Sequence, residues 1–428
     1  MSGTSLTVCL VSIMLTPLAA AGLAIIHQGL GRSRSAAHAM LATLCALAIA
    51  AIVFVVFGSS FFGYCGGQFY SIDLAGIPWN TLGAEPFFAA GTHFDPTGIR
   101  AALELCLMVF AAGVAAIIPI SAGTDRWRMI PICYSTALLA AFAFPLFAHW
   151  TWASGWLGQL PANFALPGLL DTAGAGTIHV VGGLAALSVA WILGPRRGKY
   201  TPDNMASAIP GHNIVMVLFG CLLALVGWIG LSSAAALLFA AAQPEQIAAV
   251  ILNAALSASS GCLAAVVTTR IRYRKPDASL SANGWIAGLV AGSAASGFVA
   301  PAAAIFTGLV AGVLVAFLVE IFELHLLVDD PGGAISVHAG AGLWGLLAAG
   351  FFAHTTGTHA QQFLVQLVGI ATLLGCMLPL IHGGNLLLNR FVRFRVDSDG
   401  DWQGMDIREL GAGAYPEFVI HADEFVPR

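Results

Sequence analysis

Asp171 to Leu184 reads DTAGAGTIHVVGGL, and Asp330 to Leu343 reads DPGGAISVHAGAGL. Laid over each other without a gap, these fourteen-residue windows agree at six positions, Asp, Gly, Ala, His, Gly and Leu. They nearly agree at Thr177/Ser336 and Ile178/Val337. One chain thus places the same histidine twice, at His179 and His338, 159 positions apart. What that repetition means depends on the medium around it.

The medium is a membrane. Of 428 residues, 58% are hydrophobic and 9% charged, with a mean hydropathy of +0.86, whereas a soluble domain carries about 25% charged residues. At roughly 20 apolar residues per crossing, eleven stretches nearly free of charge qualify, near 5–27, 37–62, 100–121, 129–151, 168–194, 212–233, 243–268, 284–298, 301–321, 335–353 and 362–388. The remainder, 390–428, reads as a tail outside the membrane, after a transmembrane domain over 1–389. TPLAAAG at 16–22 resembles a signal-peptide cleavage site, but no basic segment precedes it and the apolar run continues to Ile26, so a retained helix is expected.

Alternation of eleven spans sorts the basic residues. With the N-terminus outside, the inward loops carry Arg32, Arg34, Arg126, Arg128, Arg196, Arg197, Lys199, Arg270, Arg272, Arg274 and Lys275. The tail adds Arg390, Arg393, Arg395, Arg408 and Arg428, and only Arg100 falls outside. This is the positive-inside pattern. It predicts a multi-pass membrane protein with its N-terminus outside and its C-terminus in the cytoplasm, and the short loops make the inner (plasma) membrane of a bacterium the expected location.

Spans five and ten then run in opposite directions, so spans 1–5 and 6–10 are inverted halves (about 5–194 and 212–353) and the eleventh is an extra. Transporters built on such repeats place their site at the interface of the halves, near the midplane. An Asp-to-His path of eight helical residues covers about 12 Å, which brings His179 and His338 towards each other from opposite faces. An ionisable group there is costly and usually faces a cavity or a partner, and two touching imidazoles could share a proton. A lone buried histidine is more often a satisfied helix contact; two at matching positions point to a functional pair. Asp171 and Asp330 read as helix N-caps, with Asp171 also placed to influence an outer site. Gly183 and Gly342 read as close-packing positions.

Other chemistries find less support. Two histidines with no third ligand within a helical turn make a poor zinc site, and no nucleophile and base suggest a hydrolase. GPRRGKY (194–200) lacks the spacing and ending of a phosphate loop. The eight cysteines form no CxxC pair; they read as buried small hydrophobes, with only Cys65 in an outside loop. No enzyme activity, cofactor, metal or nucleic-acid partner is expected.

These residues resemble the ammonium transporters (Amt/Mep/Rh), the Amt branch most closely. The resemblance spans almost the whole chain: TPLAAAGLAIIHQGLGRSRS, VVFGSS, DTAGAGTIHVVGGLAAL, VGWIG, VDDPGGAISVHAGAGLWG and FRVDSDGDWQGMDIRELGAGAYPEF. It implies an all-α pore of eleven helices in each subunit of a homotrimer, with His179 and His338 lining the lumen. Ammonium would be recruited by an aromatic cage that includes Trp152, lose its proton, and pass as ammonia. The entrance departs from the family: Leu231 and Ala235 stand where an aromatic and a serine are usual, and the second gating ring falls at or near Ala111, beside Phe110. The loop EIFELHLL (320–327) is acidic where the family is often basic, which weakens the expectation of a P-II signalling partner at the cytoplasmic face. Two functions follow: an ammonium/ammonia transporter, or an ammonium-responsive sensor with weak conduction. A channel for another small neutral molecule is a third.

Overall fold

In hydrocarbon an uncharged run can satisfy its backbone only within a helix or a closed barrel, and this chain makes helices. The computed structural model describes residues 2–64, 66–355 and 357–415. Among the described residues ten helices are long and apolar enough to cross a membrane: α1 Gly3–Leu30, α2 Ser33–Phe62, α3 Ile99–Gly123, α4 Met129–Trp152, α5 Ala175–Leu193, α6 Ile214–Phe239, α7 Pro244–Tyr273, α9 Pro301–His325, α10 Ile335–Phe352 and α11 His359–Phe391. Between α7 and α9 lies α8, Ala278–Gly292, which has 15 residues. This completes the eleven.

Two of the boundaries that differ from the sequence expectation, the start of α5 and the end of α8, share one reason. The span expected at 168–194 becomes helical only at Ala175, and the one expected at 284–298 occupies 278–292. The non-helical segment before α5 pairs with the chain leaving α8: Thr172 N donates to Ala294 O and Ala173 N to Ser293 O, both at 2.9 Å. Each segment satisfies the other's backbone, so neither needs to be helical. Residues 171–174 therefore do not supply the helical rise assumed between Asp171 and His179.

Packing repeats between the halves. α2 lies against α3 and α4 as α7 lies against α8 and α9, α3 meets α5 as α8 meets α10, and α1 and α6 pair with each other. The apolar stretch at 16–22 is part of α1 and sits tightly on α6: a Cβ at Gly22 would lie 2.5 Å from Ala224 N. At the centre, a Cβ on Gly183 would lie 2.4 Å from Ala339 N, and one on Gly342 2.6 Å from Ala175 O. Both glycines are close-approach positions between α5 and α10, as their repeat implies.

One end of the bundle gathers the basic loops. Arg196 donates Nε and Nη2 to the two carboxylate oxygens of Asp329, each at 2.9 Å, and Nη1 to Asp125 at 3.0 Å. Arg126 lies 3.7 Å from Asp329, and Arg32 and Arg395 reach Asp401 of the tail. Burial opposes the charge on Asp329, but Arg126 and Arg196 outweigh it and hold the carboxyl well below its usual range. The tail also caps two helices from a distance. Asp406 accepts from Ala37 N and His38 N (3.2 and 2.8 Å) at the start of α2, and Glu409 accepts from Met129 N (2.7 Å) at the start of α4.

The opposite end carries a hairpin that the sequence reading missed, β1 Phe69–Leu74 and β2 Ile77–Gly83. Ala75 and Gly76 both have positive φ (56° and 77°), the two-residue turn that matches strand twist. Cys65 and the residues after Tyr415, including Arg428 and the end of AYPEF, lie outside the described residues. Of the other cysteines, Cys9 and Cys221 are buried as expected, but Cys106 and Cys376 are exposed on the chain's surface, where lipid accepts a small hydrophobe as readily as a core does.

Candidate functional site

Both histidine windows fold alike. Each begins with a wide helical turn, Ala175–Val180 and Ile335–Gly340, a distortion often found at functional sites. Each aspartate caps its helix: Asp171 accepts from Gly176 N, Thr177 N and Thr177 Oγ1, and Asp330 Oδ2 accepts from Ile335 N at 2.7 Å. The wide turns aim His179 and His338 at each other, with ring centroids 5.3 Å apart and planes inclined by 26°. On its other face His179 stacks on Trp228 of α6 at 4.7 Å and 10°, and Trp228 is fixed by its Nε1–H donating to Ser293 Oγ (2.9 Å).

Three of the four ring nitrogens of the pair are unsatisfied among the described residues. Both ring nitrogens of His179 and Nδ1 of His338 are buried without a hydrogen-bond partner among the described residues. The imidazoles therefore touch without the direct proton sharing that contact suggested. Buried polar groups are nearly always paired, so three orphan nitrogens in one place mark a spot for a transient polar guest.

A third histidine has the same character. His27 of α1 is 4% exposed, its Nδ1 is buried without a partner among the described residues, and it lies near His338. By contrast, His38, His149, His212 and His382 all make hydrogen bonds. His27 was visible in HQGL, but nothing in a single sequence paired it with the repeat.

A cavity of about 420 Å³ opens on the hairpin side, lined by Trp152, Asp171, Phe239, Phe298 and His354 among others. Trp152 donates its Nε1–H to Asp171 O (2.8 Å) and stacks flat on Phe239, at 4.6 Å and 5°. The hairpin steadies this end of α4: Trp150 Nε1 donates to Thr81 O, and His149 bridges Phe62 O and Asn80 Oδ1. Of the expected recruitment residues, Trp152 lines the cavity; Phe110, Leu231 and Ala235 do not. Leu231 and Ala235 are each 1% exposed, while Phe110 is half-buried at the edge of the core. Leu231, Ala235 and Phe239 follow at i, i+4 and i+8 on one stripe of α6. The aromatic absent at the first position returns two turns nearer the cavity.

On the basic side a cavity of about 570 Å³ is lined by Asp330, Ser336, Asn283, Arg196 and the acidic loop. Asp330 Oδ1 is buried without a partner among the described residues, and burial pushes this carboxyl up to about 6. The charges of EIFELHLL are largely neutralised, because Glu320 pairs with Arg272 and Glu323 with Lys199.

The ammonium transporter family model matches residues 6–415. Ammonium transporter Amt2 of Archaeoglobus fulgidus is 31% identical over 427 residues, covering 94% of this chain and 86% of its own. The ammonium transporter of Bacillus subtilis is 28% identical over 412 residues, covering 92% and 94%. Among solved structures, one described as a sensor Amt protein superposes with a TM-score of 0.85 at 27% identity, over 95% of this chain and 98% of its own. Candida albicans Mep2, at 23% identity, shares the fold with a TM-score of 0.78 over 98% and 91%.

Proposed function

Because the chain belongs to the ammonium transporter family, we propose that it moves ammonium nitrogen across a membrane along a path from Trp152 through His179 and His338. The observation that carries this reading is the set of buried, unpartnered imidazole nitrogens at the repeat-related positions. At the hairpin side, taken as the outside because Arg100 is its one basic residue, ammonium meets the Trp152–Phe239 stack. Cation–π attraction to such rings contributes about 0.5–2 kcal/mol. The cation cannot enter the apolar centre cheaply, since an unpaired charge there costs far more than the rings return. Giving up the proton, which the unpartnered imidazole nitrogens can accept and pass on separately from the nitrogen, removes that cost. The ammonia that remains can donate to one imidazole and accept from another, replacing its lost water with the orphan nitrogens.

On this reading His338→Ala abolishes ammonium conduction or changes its selectivity, recorded as internal alkalinisation and current in vesicles. Wild-type selectivity and rate in that variant would exclude the histidine pair. We also propose the homotrimer of the family and a plasma-membrane location with the tail in the cytoplasm, checked by the mass of the purified complex and by cysteine labelling of the tail. A P-II partner at that face would meet the ion-paired loop 320–327, which offers it little free charge; a pull-down with purified P-II protein tests it. A sensor role is the second reading, favoured by the altered stripe at Leu231 and Ala235. It requires saturable ammonium binding without current.

A further inference from the structure

On the outside of the bundle, between α4 and α11, runs an apolar groove of about 290 Å³. Leu138 and Phe142 form one wall and Leu380 and Leu387 the other, while Gly383 and Gly384 keep it open. The polar groups beneath are satisfied internally: Ser135 Oγ donates to Asn385 Oδ1 (2.9 Å) and Asn385 Nδ2 to Ser188 Oγ (3.2 Å). Leu387 is 59% exposed, so in a membrane the groove opens to lipid.

Its basic end is charged on both sides. Gly383, Leu387 and Arg390 follow at i, i+4 and i+7 on one stripe of α11, and Arg128 lies seven residues before Ser135 on α4, at the start of that helix. Arg390 has no ion-pair or hydrogen-bond partner among the described residues, and Arg128, 3.4 Å from Glu409, keeps a side chain 40% exposed. Basic positions between transmembrane helices at this level recognise anionic headgroups.

We infer that this groove is a binding site for an anionic phospholipid of the leaflet on the basic side, with an acyl chain between Leu138, Phe142 and Leu387 and its phosphate between Arg390 and Arg128. A neutral lipid would leave Arg390 without a counter-charge, whereas Arg128 already has Glu409 at 3.4 Å, and a second copy of the chain would have to bring an acidic group to the same boundary. The site is independent of the transport path.

The test is native mass spectrometry of the purified full chain, titrated separately with dioleoyl phosphatidylglycerol and dioleoyl phosphatidylcholine. Arg390→Gln is expected to weaken phosphatidylglycerol binding about fivefold and to leave phosphatidylcholine unchanged. Gly383→Leu is expected to fold, since a Cβ there meets nothing within 4 Å, and to weaken both lipids by filling the groove. Equal lipid binding by wild type and both variants would overturn the site. An effect of Gly383→Leu alone would overturn the anionic assignment. An altered oligomeric state in that variant, with lipid binding unchanged, would give the groove to a second copy.

Discussion

Asp330 and Asp171 occupy the same place in the repeat, yet only one is fully satisfied. Asp171 receives three donors; Asp330 keeps one buried oxygen without a partner among the described residues, and burial lifts its pKa to about 6. An acid raised above its unfolded value near 4 favours folding most at low pH, and that contribution is lost as pH rises from about 4 through 6. Asp330→Asn should therefore flatten the thermal-stability profile between those limits, by an amount on the order of 2 kcal/mol; an unchanged slope would show that this carboxyl does not titrate there. Phe239 offers a second test. Removing a ring stacked flat on Trp152 should weaken ammonium binding, so Phe239→Ala should raise the half-saturating concentration several-fold, in line with about 1 kcal/mol of lost cation–π attraction. Near His338, His27→Phe keeps the bulk and removes the orphan nitrogen; slower conduction is expected, with binding at the outer site unchanged.

The elements show which signals a sequence carries. The histidine windows were legible because one repeat imposes one local fold twice, down to the wide turns at Ala175 and Ile335. The spans were legible because exclusion of charge is a strong signal, and their errors at 168 and 298 fall where two non-helical segments hydrogen-bond to each other. The hairpin was not legible in the same way: every residue of β1 is exposed, so no buried face imposes the alternation that marks a strand. Its signal was the turn at Ala75–Gly76 between β-prone runs. Phe239 escaped because its role depends on where α6 ends, and helix ends are read poorly from sequence. The tail's capping of α2 also needed tertiary structure, since Asp406 lies 369 positions from Ala37. Loss of a cap costs about 0.5–2 kcal/mol, so Asp406→Ala should lower thermal stability by that amount and make the tail more accessible to protease. Unchanged proteolysis would show that other contacts, such as Glu409 with Met129, hold the tail alone.

At the scale of the whole molecule, two inverted halves present similar helix ends to opposite sides, and each contributes one histidine to the centre. The ends differ. Aromatic rings line the mouth on the hairpin side, whereas ion pairs and a partly unsatisfied carboxylate line the mouth on the basic side, so the path has a direction even though its middle is nearly symmetric. On the proposed reading, selectivity follows from that middle, where the nitrogen must travel as a small, uncharged, hydrogen-bonding guest. The direct measurement is the current on a solid-supported membrane after an ammonium pulse, with wild-type and His179→Ala proteins reconstituted at equal density and protein-free vesicles as control. A saturable wild-type current that His179→Ala loses is the expected result for a proton that accompanies the nitrogen through the histidine pair. An equal, saturable current from both proteins would contradict conduction through that pair.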